Sequence, residues 1–401
     1  MIRPLALAAL LASLCAAPAQ AQRLAVVADT LYTMAGPPIV NGVVLIEGGK
    51  IERVGAGLRV PDGVRTLRAS VATPGLVDVR GTVGLSGLLN QDDDQDQLDE
   101  GGPIQPSLRA LDAYNARDEL VPYLLGFGVT TVHTGHTSGA IAAGQTVTVK
   151  TAYDTIDEAL VDSTTMLAMT IGPSVSRQFD SPGSRSRVIA ELRKALYAAQ
   201  AAEANAAASD ETPAVDLDQQ AWGQVLRGEM PALVTAHRAN DILTLLRVGR
   251  EFPTLDLILD GAAEAYLVTD ELRAAGVPVV LHPTMIRSGG ETENASFTTA
   301  AVLRAEGIPF AIQSGYEAYV PKTRVVLFEA AAAAAHGLSR EHALASVTID
   351  AAEILGLADR VGSLERGKDA DLALFDGDPL ETTTHVCAVV VDGRVASEEC
   401  R

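Results

Sequence analysis

Between about residue 73 and residue 359, short apolar runs and longer amphipathic stretches take turns along the chain. The runs "GVTTVHTGH", "TVTVK", "ALVTAH", "DLILDG", "VPVVLHP" and "IPFAIQSG" have the length and β-branched content of buried strands. Between them, "SRVIAELRKALYAAQAAEANAAA", "ANDILTLLRVGREF", "TDELRAAG", "TTAAVLRAEG" and "RVVLFEAAAAAAHGL" carry apolar residues at helical spacing. Such alternation specifies an α/β fold with a parallel sheet, and at this length the expected form is a (β/α)8 TIM-like barrel over residues 73–359. Ser339 is placed to cap "REHALASV", and Asp350 with Glu353 has capping-box spacing before "ILGL". The polar stretch near 196–220 breaks the alternation and is expected to be an exposed insertion or lid.

Both ends read differently. Residues 22–72 and 360–401 are rich in hairpin signals, including Gly48-Gly49 in "VVLIEGGKIERVG" and Asp392-Gly393 in "AVVVDGRVA". Two β-rich ends flanking a long middle predict a small composite β-sandwich in which the termini meet. Folding back at Asp392-Gly393 brings position 387 opposite 398, with Cys400 one diagonal step beyond, so Cys387 and Cys400 are candidates for a disulfide.

Residues 1–21 have the order of a secretory leader: Arg3, an apolar run, then Ala19-Gln20-Ala21. The expectation is a cleavable signal peptide cut after Ala21, a secreted or periplasmic protein, and no membrane association after cleavage. The apolar run is too short to span a bilayer comfortably. A formal net charge of -20 repels phosphate backbones, which argues against nucleic acid as a partner. With aromatics at 4% against 47% hydrophobic residues overall, the core must be built from aliphatic side chains. The acidic run containing Asp92, Asp94 and Asp96 starts like a calcium loop, but Gln97 stands at the glycine position and Pro103 at the closing glutamate. It reads as a solvated or mobile loop, with a casual Ca²⁺ site as the alternative.

Several segments together resemble the amidohydrolase superfamily, in particular its imidazolonepropionase-like branch: "ATPGLVDV", "IQPSLRALDAYN", "GFGVTTVHTGHTSGAIAAGQTV", "AHRANDILTLLRVGREF", "EAYLVTDELRAAGVPVVL" and "DAAEILGLADRVGSLERGKDADLALFDGDPL". The resemblance implies a hydrolase of carbon–nitrogen bonds in a small amide or cyclic imide, with divalent metal at the C-terminal ends of barrel strands. The family's ligands are His-x-His on the first strand, a carboxylated Lys on the fourth, His on the fifth and sixth, and Asp on the eighth. Carried over to this chain, His-x-His falls on Arg80 and Thr82, the fifth-strand His on His237, the sixth on Gly261 beside Asp260, and the Asp on Gly315. Lys150 lies near the carboxylated-lysine position. Only His237 is retained as a metal-ligand position, compatible at most with a single Zn²⁺ or similar ion, so metal-dependent hydrolysis is doubtful.

Other residues at predicted strand ends are His133, His136 and His282, which with His237 make four of the seven histidines. They can line a pocket, sit satisfied in the core, or form a relocated mononuclear site. His336, His342 and His385 fall outside these ends and are read as structural. No G-x-S-x-G elbow occurs, and no cysteine lies in the barrel segment. Arg80 can clamp a carboxylate or neutralise Asp78. The expected pocket set is therefore Arg80, Thr82, His133, His136, His237, Asp260, His282 and Gln313. It serves an altered hydrolase, a pseudoenzyme binding a small anionic ligand, or a scaffold.

Overall fold

The computed structural model describes residues 23–89, 91–208, 214–319 and 322–401; the leader-like residues 1–21 lie outside the described residues. Four strands open the described chain: β1 (Arg23–Leu31), β2 (Ile39–Glu47), β3 (Lys50–Ala56) and β4 (Arg65–Pro74). The middle holds β5 (Leu76–Gly81), β6 (Val129–Thr134), β7 (Ala142–Gln145), β8 (Val147–Lys150), β9 (Leu160–Asp162), β10 (Leu167–Thr170), β11 (Ala232–Ala236), β12 (Leu257–Gly261), β13 (Val279–Leu281) and β14 (Phe310–Ile312). Three more follow: β15 (Leu372–Phe375), β16 (Val386–Val391) and β17 (Arg394–Ser397).

The terminal strands form one seven-stranded sheet in the order β17-β16-β15-β4-β1-β2-β3. Its two halves join where β4 pairs antiparallel with β15, Pro74 opposite Leu372. Strands from both ends of the chain thus meet in one hydrogen-bonded sheet. Both expected hairpins are present. Gly48 and Gly49 have φ of 59° and 82°, and Asp392 and Gly393 have 46° and 72°, as a two-residue turn with left-handed central residues requires. A disulfide joins Cys387 to Cys400 beside the second hairpin.

From β4 the chain passes directly into β5 at Gly75, where a Cβ would lie 2.2 Å from the Thr130 hydroxyl; only glycine fits that crossing. The inner strands form two further sheets, β5-β6-β8-β9 and β14-β13-β12-β11-β10-β7. Strands β10 to β14 are parallel throughout, as the alternation predicts. The two sheets meet at an isolated parallel bridge, Gly81 to Gly315. A closed ring of eight parallel strands is not what the pairing gives, because β7 runs antiparallel to β10, and β8 runs antiparallel to both β6 and β9. The architecture is α/β.

Helices cover the sheets by their apolar stripes. In Ala239–Glu251, Ile242, Leu245 and Leu246 are buried at spacings of three and four, and in Arg185–Ala208 Val188, Leu192, Leu196 and Ala199 form a similar row. Each such Leu or Ile contributes roughly 1.5–3 kcal/mol by leaving water. Ser339 caps Arg340–Ala345 through its hydroxyl, which accepts from His342 N at 3.2 Å. Asp350 does not cap: it lies inside the helix Ile349–Ile354 and pairs with Arg304 instead. Residues 214–218, in the expected insertion, are exposed.

Candidate functional site

Strands β11 to β14 place residues two apart on one face. Leu233, Ile258, Val280 and Ala311 pack together in an apolar layer with Val77 and Val79. Two residues further along each strand the same face carries Thr235, Asp260, His282 and Gln313. This polar layer floors a cavity of about 140 Å³ at the C-terminal strand ends, the usual ligand position in parallel α/β sheets.

Six of the expected pocket residues line it: Arg80, Thr82, His237, Asp260, His282 and Gln313. Thr137, Ser138, Tyr316 and Glu317 complete the rim from loops that strand patterning does not reach. His133 and His136 are not in the lining. The His133 ring is consumed by the wall, its Nδ1 donating to Val79 O at 2.7 Å and its Nε2 meeting the Thr146 hydroxyl at 2.6 Å. His136 is buried, and its backbone carbonyl accepts from Arg80 Nη2.

Asp260 is held on both oxygens, by the Thr235 hydroxyl at 2.5 Å and by Gln313 Nε2 at 2.6 Å. Asp78, behind Arg80, accepts from Ser314 N at 3.1 Å and Arg80 N at 3.2 Å, while its Oδ2 has no protein partner. Arg80 is only 5% exposed. One arm of its fork is spent on His136 O and the other, Nη1, has no partner. Thr82 Oγ1, His237 Nδ1 and His282 Nε2 are unpartnered as well.

Burial dominates the electrostatics. It pushes Asp78 up to about 6 despite the hydrogen bonds from Ser314 and Arg80 and the Arg80 charge. It lowers Arg80, with Asp260 and Asp78 opposing. His133 falls to about 3 and His136 to about 4, through burial first and the Arg80 charge second. His282 falls to about 4 by burial, against its bond to Pro283 O, and burial also lowers His237. The histidines are therefore neutral at pH 7, and the guanidinium is the cation of the cavity lining.

Pro283 and Ile286 line the cavity, and the segment that follows them is tethered through charged side chains. Arg177 pairs with Glu291 at 2.5 Å; Arg238 bridges Glu264 and Glu293, each at 2.8 Å; and Arg287 lies over the Tyr319 ring.

The residues present do not fit the binuclear metal centre that the family resemblance implies. A guanidinium stands where an imidazole is needed. Gly261 has φ of 81°, and a Cβ there would lie 2.6 Å from the His237 ring; Gly315 has φ of 71°, and its Cβ would lie 3.0 Å from Pro283. Lys150 is not near the cavity. It is buried against the terminal sheet, paired with Asp369, Asp371 and Asp392. Among the described residues, no group of three or more His, Cys, Asp or Glu side chains is placed to hold a metal ion.

The amidohydrolase family profile matches residues 313–396. The solved structure of an amidohydrolase from Thermotoga maritima MSB8 superposes with a TM-score of 0.89 at 28% identity, covering 94% of this chain and all of that one. By the profile and this superposition the chain is similar to members of the amidohydrolase superfamily. Amidohydrolase tasK of Hapsidospora irregularis is 27% identical over 399 aligned residues, and an imidazolonepropionase of Cupriavidus necator is 39% identical over 106. Those alignments span 39% and 25% of the two relatives' own lengths.

Proposed function

We propose that this amidohydrolase-superfamily protein binds a small anionic organic molecule in the cavity, and that recognition by a buried arginine has replaced the family's metal-dependent hydrolysis. One observation carries the reading: Arg80 lines the cavity, is almost fully buried, and keeps an Nη1 without a partner. A buried unpaired donor on a cation is costly unless a ligand completes it, and a carboxylate is the group that a guanidinium fork fits best. In this reading the two inner sheets, joined at the Gly81–Gly315 bridge, form the wall of the TIM-like barrel over residues 73–359, with β7 and β8 running against its parallel strands. The segments 22–72 and 360–401 are its flanking β-unit, and residues 1–21 direct export.

A second reading, retained hydrolysis of a carbon–nitrogen bond without the metal, draws on His237, whose neutral ring borders the cavity with Nδ1 free to accept a proton from water. Thermal unfolding in a panel of short carboxylates, repeated with Arg80→Met, tests the first. A ligand at a hundredfold excess over its Kd stabilises by about 2.7 kcal/mol, and that gain is expected to vanish in the variant. No stabilisation by any acid, or an undiminished gain in Arg80→Met, overturns the reading. Release of ammonia or amine from an amide or imide substrate by metal-free protein supports the second instead.

A further inference from the structure

His282 is the histidine of the cavity lining whose tautomer is fixed. Its Nδ1 lies 2.6 Å from Pro283 O, and a carbonyl can only accept, so Nδ1 carries the proton. Its Nε2 is then a lone pair. That atom has no protein partner, and the side chain is 1% exposed while lining the cavity. A buried acceptor left empty costs about as much as a lost hydrogen bond, and the neighbouring amide of Gln313 does not fill it, being spent on Asp260 and Val280 O. The Arg80 fork asks for an acceptor and His282 asks for a donor. Their strands stand two places apart, since β14 lies beside β13 and touches β5 through the Gly81–Gly315 bridge. That is roughly 10 Å at backbone level, narrowed by the side chains.

We infer that the ligand is a small acid that also carries a hydrogen-bond donor, N–H or O–H, its carboxylate on Arg80 and its donor on His282 Nε2. This rests on the anion-binding reading above and adds the second recognition point. The burial that keeps the ring neutral keeps the acceptor available at physiological pH.

Three small carboxylates, of which N-acetylglycine and acetoxyacetate are isosteric, separate the two claims. N-acetylglycine carries an N–H, 3-hydroxybutyrate an O–H, and acetoxyacetate neither, while all three are carboxylates. By titration calorimetry, at least one donor-bearing acid is expected to bind the intact chain about tenfold or more tightly than acetoxyacetate, as one unfilled buried acceptor would require. The tighter of the two donor-bearing acids then identifies the donor chemistry. In His282→Phe the ratio is expected to collapse to near one, with binding through Arg80 retained. Acetoxyacetate binding as tightly as the other two in wild type overturns this inference and leaves the anion site standing. No binding by any of the three overturns both. A preference that survives in His282→Phe also overturns it. Should that variant not fold, the wild-type comparison decides alone.

Discussion

Arg80 and Lys150 are both buried, and they are treated in opposite ways. Lys150 Nζ reaches Asp371, and Asp369 and Asp392 at 3.3 Å each. Those carboxylates are themselves held, Asp369 by Lys50 at 2.5 Å and Asp392 by the Tyr153 hydroxyl at 2.6 Å. Burial alone would depress Lys150, but Asp371, Asp392 and Asp369 together hold it above its ordinary range. Arg80 has one backbone carbonyl and an empty donor. A charge whose partners are all supplied from within serves the scaffold. A charge left incomplete at a cavity is where a ligand can act.

The sharpest way to break this contrast is to remove each cation. Lys150→Met leaves buried carboxylates unpaired and is expected to cost about 3–5 kcal/mol in denaturant unfolding. Arg80→Met, which removes a cation with few partners, is expected to cost clearly less while abolishing carboxylate binding. Equal losses of stability would end the distinction.

Acid titration separates the regions by pH window. His133, His136 and His282 have folded values of about 3, 4 and 4 against an ordinary 6.5. The unfolded chain takes up their protons first, so stability is expected to fall as pH drops from 6.5 toward 4. Asp78, raised to about 6 from 3.8, acts in the opposite sense and offsets part of the loss. At the Lys150 seam, Asp369 is held below its ordinary 3.8 by Lys150, Lys50 and Arg360 against its own burial. Its contribution is present above that pH and is lost only below it. Asp371 is pushed up by burial, so the seam's acid response rests on Asp369. Burial, the main cause of the depressed His133 and His136, stays in Arg80→Met, but the added depression by the Arg80 charge is gone, so the slope between pH 6.5 and 4 is expected to ease. A slope unchanged in thermal melts across that range would count against the assignment. The smallest expected effect is that of chelation: dialysis against EDTA should leave carboxylate affinity within about twofold, roughly the 0.5 kcal/mol within which changes away from a site usually fall.

Much of the cavity was legible because parallel strands place their last inward residues at one rim. The family resemblance placed Arg80, Thr82, His237 and Asp260, and His282 and Gln313 stand at the ends of expected strands. His133 failed that rule because its ring is consumed by Val79 O and Thr146, a partnership that strand-end position does not reveal. Lys150 failed for a topological reason. β8 runs antiparallel to β6, pairing Lys150 with Thr131 and Val147 with Thr134, which puts Lys150 at the end of the sheet away from the cavity rim. Periodicity identifies a strand but not its direction. The rim residues Thr137, Ser138, Tyr316 and Glu317 lie past the strands, where no repeat operates. "VHTGHTSG" and "AIQSGYE" offered only their position just after strands already assigned to the site.

The Lys150 seam also bears on how the chain is made. Its partners lie 219, 221 and 242 residues downstream. A nascent chain can form the inner strands long before those aspartates leave the ribosome, and until then an ammonium destined for the interior has nothing to neutralise it. The last-synthesised strands therefore do more than extend the first sheet, because the earlier half of the molecule becomes final only when they arrive.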